Sequence, residues 1–226
     1  KTLNIALAGT GVGKSLFSSA LLMRLGASGR RCIGMKPVAA GVEEINGQWL
    51  NEDVVALQAA STIDAPLELR CPYMLRAAIS PHLAASLEGV SLSLDRIRTA
   101  YEQLAALTDA VLVEGAGGFR VPLSDDLDGA DLAVALGLPV ILVVGMRLGC
   151  LNHALLTYDA IRARGLSVAA WVACRITPDM DAVEQNVQTL RRRIDAPLLG
   201  DIPWLEQADA RTAAQVLDMT VLQDMR

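Results

Sequence analysis

Six short apolar runs rich in β-branched residues alternate along this chain with stretches of helical periodicity, and that alternation restricts the fold more than any other feature. The runs are LNIALA (3–8), RCIGMK (31–36), DAVLVEG (109–115), PVILVVG (139–145), SVAAWVAC (167–174) and APLLGDIP (196–203). Their continuous apolar character marks strands buried on both faces, as in a parallel sheet. Helical patterns fall at 14–28, 51–60, 81–88, 92–107, 129–136, 151–164 and 179–193. Strands that alternate with helices need right-handed crossovers, so the expected fold is α/β, a parallel sheet covered by helices on both faces. With 226 residues, no internal repeat and no low-complexity linker, residues 1–226 are expected to form one domain. The segment 41–52, with Gly41, Gly47 and Asn51, reads as a surface loop.

Ligands of such sheets bind beyond the carboxyl ends of the strands. The polar and glycine-rich segments GTGVGKS, KPVAAG, EGAGGFRVPLSD, GMRLGCLNH, CRITPD and IPW fall on those ends, so six strand ends face one crevice. The net charge is −5 and the 20 basic residues are scattered. Only Arg191, Arg192 and Arg193 form a run, read as a solvated helix face, so no nucleic-acid surface is expected. Cys32, Cys71, Cys150 and Cys174 have no metal-binding or disulfide spacing. Neither His82 nor His153 has a ligand-spaced partner. No apolar run reaches the roughly 18 residues of a membrane span. The first residues read as a strand pattern, so no signal peptide is expected, and the expectation is a soluble, cytoplasmic protein without a membrane partner.

The first run leads into GVGKS, residues 11–15, and then a helix. Backbone N–H groups of a glycine turn at a helix N-terminus point at phosphate oxygens, a lysine neutralises their charge, and a hydroxyl reaches magnesium. Gly11, Gly13, Lys14 and Ser15 supply those parts. Counted against G-x-x-x-x-G-K-[ST], the first glycine position falls on Ala8, with Gly9 one residue late. Glu114 closes a buried strand across from this loop, where a carboxylate suits magnesium. Asp53 is a second carboxylate candidate, its alternative being a helix cap. Lys36, before Pro37, closes the second strand and can reach a transferring phosphoryl group from the side opposite Lys14, the alternative being a surface lysine. In GCLNHALLT the helix start can hold a carboxylate, or Asn152 can cap it.

Together GTGVGKS, MKPVAAG, VLVEGAGGFRVPLSD, LPVILVVGMRLGCLNHALLT, WVACRITP and APLLGDIPWL resemble the dethiobiotin synthetases, in order and over nearly the whole chain. The resemblance implies a homodimer of single P-loop NTPase-type domains. It implies closure of a cyclic urea on 7,8-diaminopelargonate with carbon dioxide, or bicarbonate as its source, and magnesium ATP. The path runs through a carbamate and a carbamic-phosphoric anhydride. Carried over, Lys14 and Lys36 act on the γ-phosphate and the anhydride, and Ser15, Asp53 and Glu114 hold Mg2+. Thr10, Gly11, Val12, Gly13, Gly115, Ala116, Gly117, Cys174, Arg175, Pro203, Trp204 and Leu205 complete the nucleotide site. Ala40 borders the substrate with Lys36, and Leu148, Gly149, Cys150 and Asn152 of the partner subunit receive its carboxylate.

Three departures from the family pattern stand out. The family loop is usually G-T-[DG]-T-x-V-G-K-[ST], so this chain is two residues short, up to ~7 Å of contour. Ala40 replaces a serine or threonine. Cys174 replaces an asparagine that reads adenine, which predicts that nucleoside triphosphates other than ATP also serve. Two alternatives share the fold: an ATP-driven switch of the partitioning or septum-placement kind, and a catalytically impaired synthetase relative with a shortened phosphate loop. The switch proteins carry an extra lysine where this chain has Ala8 and Gly9.

Overall fold

All six apolar runs become strands of one sheet in the computed structural model, which describes residues 3–7, 11–45 and 47–222. The first half of the chain contains β1 (Leu3–Leu7), α1 (Lys14–Ala27), β2 (Cys32–Met35), β3 (Val38–Ala40), β4 (Glu43–Ile45), β5 (Gln48–Leu50), α2 (Glu52–Ala60), α3 (Leu67–Arg70), β6 (Tyr73–Leu75) and α4 (Pro81–Leu87). The second half contains α5 (Leu94–Leu107), β7 (Ala110–Glu114), α6 (Gly129–Leu136), β8 (Val140–Met146), α7 (Cys150–Ala163), β9 (Val168–Arg175), α8 (Val183–Arg193), β10 (Leu198–Ile202) and α9 (Ala210–Gln215), with a final 3-10 turn at Met219–Leu222.

The main sheet runs β10-β9-β8-β1-β7-β2 and every pairing in it is parallel. β1 is central, with Ile5 opposite Glu114 on one side and Leu7 opposite Val143 on the other. Successive side chains of a strand point to opposite faces, which divides the core. Ile141, Val143 and Val172 pack with Phe17, Leu21 and Leu22 of α1, and Ala213 of α9 joins them. On the other face Leu142, Val144 and Trp171 pack with Ala154 and Ile161 of α7 and Val187 and Leu190 of α8. Val111 and Val113 pack there with Ile97 and Leu104 of α5 and Leu132 of α6. Trp171 is fully buried, so Trp171→Ala would cost about 3–5 kcal/mol.

Residues 41–52 are more than the expected surface loop. β4 pairs antiparallel with β5 across a turn at Gly47, whose φ is 79°, and Asn51 caps α2. Three-residue strands are too short to show a period. The same brevity hid the parallel pair β3–β6, in which Val38 lies opposite Tyr73. The helix expected at 179–193 begins only at Val183, after Ala182 at φ 54°, and its three arginines are exposed as expected. Asn152 does not cap α7: Gly149 does, in the left-handed region at φ 90°. Among the described residues no helix is long and apolar enough to cross a membrane.

Candidate active site

The loop after β1 turns into α1 through Gly11 and Gly13, at φ 67° and 89°. Gly13 is the N-cap, and among the described residues no side chain caps this end, which suits the first-turn N–H groups to an anion. Val12 is buried in the core between them. The loop lies close on the sheet: a Cβ on Gly145 of β8 would come within 2.9 Å of Val12 Cα, and one on Gly13 within 3.0 Å of Cys174 Cβ. Thr10, with Ala8 and Gly9, lies outside the described residues.

Four side chains converge beyond the ends of β1, β2 and β7. Lys36, only 4% exposed, donates from Nζ to Asp53 Oδ2 and Glu114 Oε1, each at 2.7 Å, and approaches the Gly115 carbonyl at 3.4 Å. Ser15 Oγ donates to Asp53 Oδ1 and lies 3.1 Å from Glu114 Oε1. Local structure fixes each participant. The Lys36 amide donates to the Arg70 carbonyl at 2.8 Å, and Pro37 prevents a helical continuation. Asp53 is not the cap of α2: the Asn51 side chain accepts from the amides of Asp53 and Val54, and the Asp53 carboxylate is turned inward.

The charges balance, with Lys14 and Lys36 against Asp53 and Glu114. Burial lowers the pKa of Lys14, and the nearby Lys36 charge adds to this against the pull of Glu114 and Asp53. Burial alone would lower Lys36 too, but the Glu114 and Asp53 carboxylates outweigh it and hold the ammonium above the usual lysine value. For Asp53, burial opposes ionisation, and Lys36 prevails, keeping the carboxyl below its ordinary range.

The residues present fit magnesium. A hydroxyl and two carboxylates are hard oxygen donors. Glu114 is completely buried and its Oε2 has no hydrogen-bond partner among the described residues, an orphaned acceptor of the kind a cation satisfies.

A cleft of about 430 Å³ opens over this cluster, bordered by Lys14, Lys36, Ala40, Asp53, Ala116 and Gly117. Its other wall includes Asn51, Val121 and residues 78–81, which sequence reasoning missed. A signal existed in SPH, a serine N-cap before a proline at the first helical position of α4. Cys174 is 1% exposed behind Gly13, and burial pushes its thiol up to about 12. The adjacent Arg175 is partly exposed, with Nε and Nη2 on Asp201 at 3.0 and 2.8 Å and Nη1 on Glu184 at 3.1 Å. Pro203 and Trp204 are exposed and Leu205 half-buried after β10. Leu148, Gly149 and Asn152 are exposed at the start of α7, Cys150 is buried, and none of the four borders this cleft.

A strand, a left-handed glycine turn and Lys14–Ser15 at a helix N-terminus, opposed by an acidic strand end in a parallel sheet, define a P-loop NTPase. An AAA domain family model matches residues 1–212. The chain is 55% identical over 213 residues to the ATP-dependent dethiobiotin synthetase BioD of Aromatoleum aromaticum, covering 93% of this chain and 95% of that protein. It is 53% identical to the ATP-dependent dethiobiotin synthetase BioD of Ralstonia nicotianae, covering 94% and 93%. The chain belongs to the dethiobiotin synthetase family. Among solved structures it is similar to the septum site-determining protein MinD of Pyrococcus horikoshii, with a TM-score of 0.58 at 16% identity over 99% of this chain and 90% of that one. A ParA family ATPase of Chlorobium tepidum gives a TM-score of 0.58 at 14% identity over 99% and 92%. At such identities the likeness shows the fold alone.

Proposed function

We propose that this chain is an ATP-dependent cyclo-ligase that forms the two C–N bonds of a cyclic urea, converting 7,8-diaminopelargonate and carbon dioxide to dethiobiotin. One amine captures carbon dioxide as a carbamate, the carbamate oxygen takes the γ-phosphoryl group, and the second amine displaces phosphate. The observation that carries the reading is the Lys36 ammonium, fixed between Asp53 and Glu114 in the floor of a cleft that Lys14 also borders. Two relatives above half identity support the same reading.

Each step uses groups of this chain. The N–H groups at the start of α1 cradle the phosphates, and Lys14 neutralises charge on the transferred group. Lys36 faces the same charge from the β2 side and orients the carbamate. Positioning and charge neutralisation dominate phosphoryl transfer, so no strong base is required. Ser15, Asp53 and Glu114 would hold Mg2+, which supplies further charge neutralisation at the phosphates. Loops around Cys174–Arg175 and Pro203–Leu205 would border the nucleotide base.

Leu148 is 99% exposed at the start of α7, beside the exposed Gly149 and Asn152, which suits the presentation of this helix end to the cleft of a second copy. The working form is then a cytoplasmic homodimer. Sedimentation at the mass of one chain would remove the dimer from this reading. Incubation with diaminopelargonate, bicarbonate and magnesium ATP tests the activity: phosphate and cyclic urea should appear in equal amounts, and phosphate release without the diamine would instead favour a nucleotide switch.

A further inference from the structure

We infer that a small apolar pocket behind the segment Gly115–Phe119 is a binding site for molecular carbon dioxide, an inference that rests on the synthetase reading. The pocket lies between Pro37–Val38, the glycine segment and the start of α6, with Val113 and Leu123 among its walls. Every lining side chain is apolar. It is a built cavity, since the Gly129 amide donates to the Val121 carbonyl at 2.9 Å and the Val121 amide to the Gly118 carbonyl at 3.1 Å. A Cβ on Gly129 would come 2.8 Å from the Phe119 carbonyl oxygen, so α6 abuts the segment directly.

Size and chemistry select the occupant. The pocket offers about 30 Å³, against ~10–15 Å³ for one water on the same measure. That is room for about three heavy atoms and too little for the alkyl chain of the diamine. With only backbone polar groups in its lining, the site offers water few partners and cannot replace the hydration of a bicarbonate anion. Carbon dioxide is uncharged, has no net dipole and is the electrophile the first step needs.

Position supplies the second argument. Val38, Ala116, Gly117 and Val121 border both this pocket and the cleft, and Gly115, whose carbonyl Lys36 approaches, also lines the pocket. In the step that follows, the lone pair of an unprotonated amine forms a bond to the carbon, one C=O π pair moves onto oxygen, and the nitrogen releases one proton to solvent. The product is an anion that an apolar pocket disfavours and that Lys36 and Lys14 attract. The pocket therefore favours the neutral reactant, and the charged product is held in the cleft beside the two lysines.

Two measurements test the assignment. Crystals of the unaltered protein pressurised with carbon dioxide should show a linear triatomic molecule in the pocket; an empty or water-filled pocket overturns the inference. Ala133→Val narrows the site from the α6 side, away from the residues that act on phosphate. It should raise KM for carbon dioxide by at least about tenfold, since a single methyl-sized change in an apolar site has that effect and this substitution adds two, with KM for ATP and for the diamine changed less than about twofold. An unchanged KM for carbon dioxide in a folded variant overturns the inference, as does a rise in KM for the diamine alone. A variant that does not fold leaves the decision to the pressurised crystals. If the unaltered protein makes no cyclic urea, the synthetase reading fails, and the crystals still decide whether the pocket takes carbon dioxide.

Discussion

The Lys36 ammonium lies 2.7 Å from Glu114 Oε1, and both side chains are buried, at 4% and 0% exposure. Removing one partner of such a pair leaves an uncompensated buried charge and costs about 3–5 kcal/mol. Lys36→Gln should therefore lower stability and also cut turnover by more than tenfold, over ~1.4 kcal/mol of transition-state stabilisation. Thermal melting followed by single-turnover phosphate release on the folded fraction separates the two losses. Turnover close to that of the unaltered chain would confine Lys36 to a structural role.

The loop between β1 and α1 is two residues shorter than the usual family pattern. Inserting Asp-Thr between Thr10 and Gly11 should raise turnover more than it changes nucleotide affinity, because the added groups act on the transition state. Titration with a non-hydrolysable nucleotide beside steady-state rates gives the comparison. Should the insertion bring no gain, the standard-length register that starts at Ala8 is the functional one.

Base discrimination should be weak. Cys174 stands where an asparagine reads adenine in the family pattern, and its thiol is buried behind Gly13. ATP, GTP and CTP are expected to give kcat/KM values within about tenfold of one another, and Cys174→Ala should leave their ranking unchanged. A strong preference for ATP would assign base reading to backbone groups or to other side chains.

Asp128 gives a stability prediction away from the site. Its side chain accepts from the amides of Ala130 and Asp131 while Asp131 accepts from the Asp128 amide, a reciprocal cap on α6. Burial would raise its pKa, but the hydrogen bond from Arg120 prevails and keeps the carboxyl below its ordinary range. Asp128→Ala should cost about 1 kcal/mol at neutral pH. Because the folded pKa lies below the unfolded value of ~3.9, the contribution is complete above that value and is lost as pH falls from there through the lower folded pKa. Denaturant midpoints of both proteins across the acid range provide the check, and a gap that does not narrow in acid would exclude the ionised carboxylate as its source.

The sheet was legible in sequence because each of its strands is a continuous apolar run, and VLVE placed Glu114 on a strand end with no help from tertiary structure. Lys36 was ambiguous. Only folding shows that an isolated lysine before Pro37 meets carboxylates 17 and 78 positions further along the chain. The SPH signal marked a helix start at residues 80–82 but not its place beside the cleft, because the chain reaches the cleft there through the β3–β6 pair, whose strands are three residues long. Taken alone, Asp53 reads more readily as a helix cap than as a ligand, until the Asn51 side chain is seen to occupy the cap.

The three oxygen donors of the cluster differ in how they are anchored. Glu114 ends β7, and Ser15 sits in the first turn of α1, whose Phe17, Leu21 and Leu22 pack into the core against the sheet. Asp53 rides on α2, tied through Asn51 to the Gly41 carbonyl at 3.1 Å beside the β4–β5 hairpin. The cluster is thus a vice with two fixed jaws and one movable jaw. Sequence drift in the hairpin would change the spacing of the cluster without touching the sheet, whereas the same adjustment from the other side would have to shift β7 or the core-packed α1.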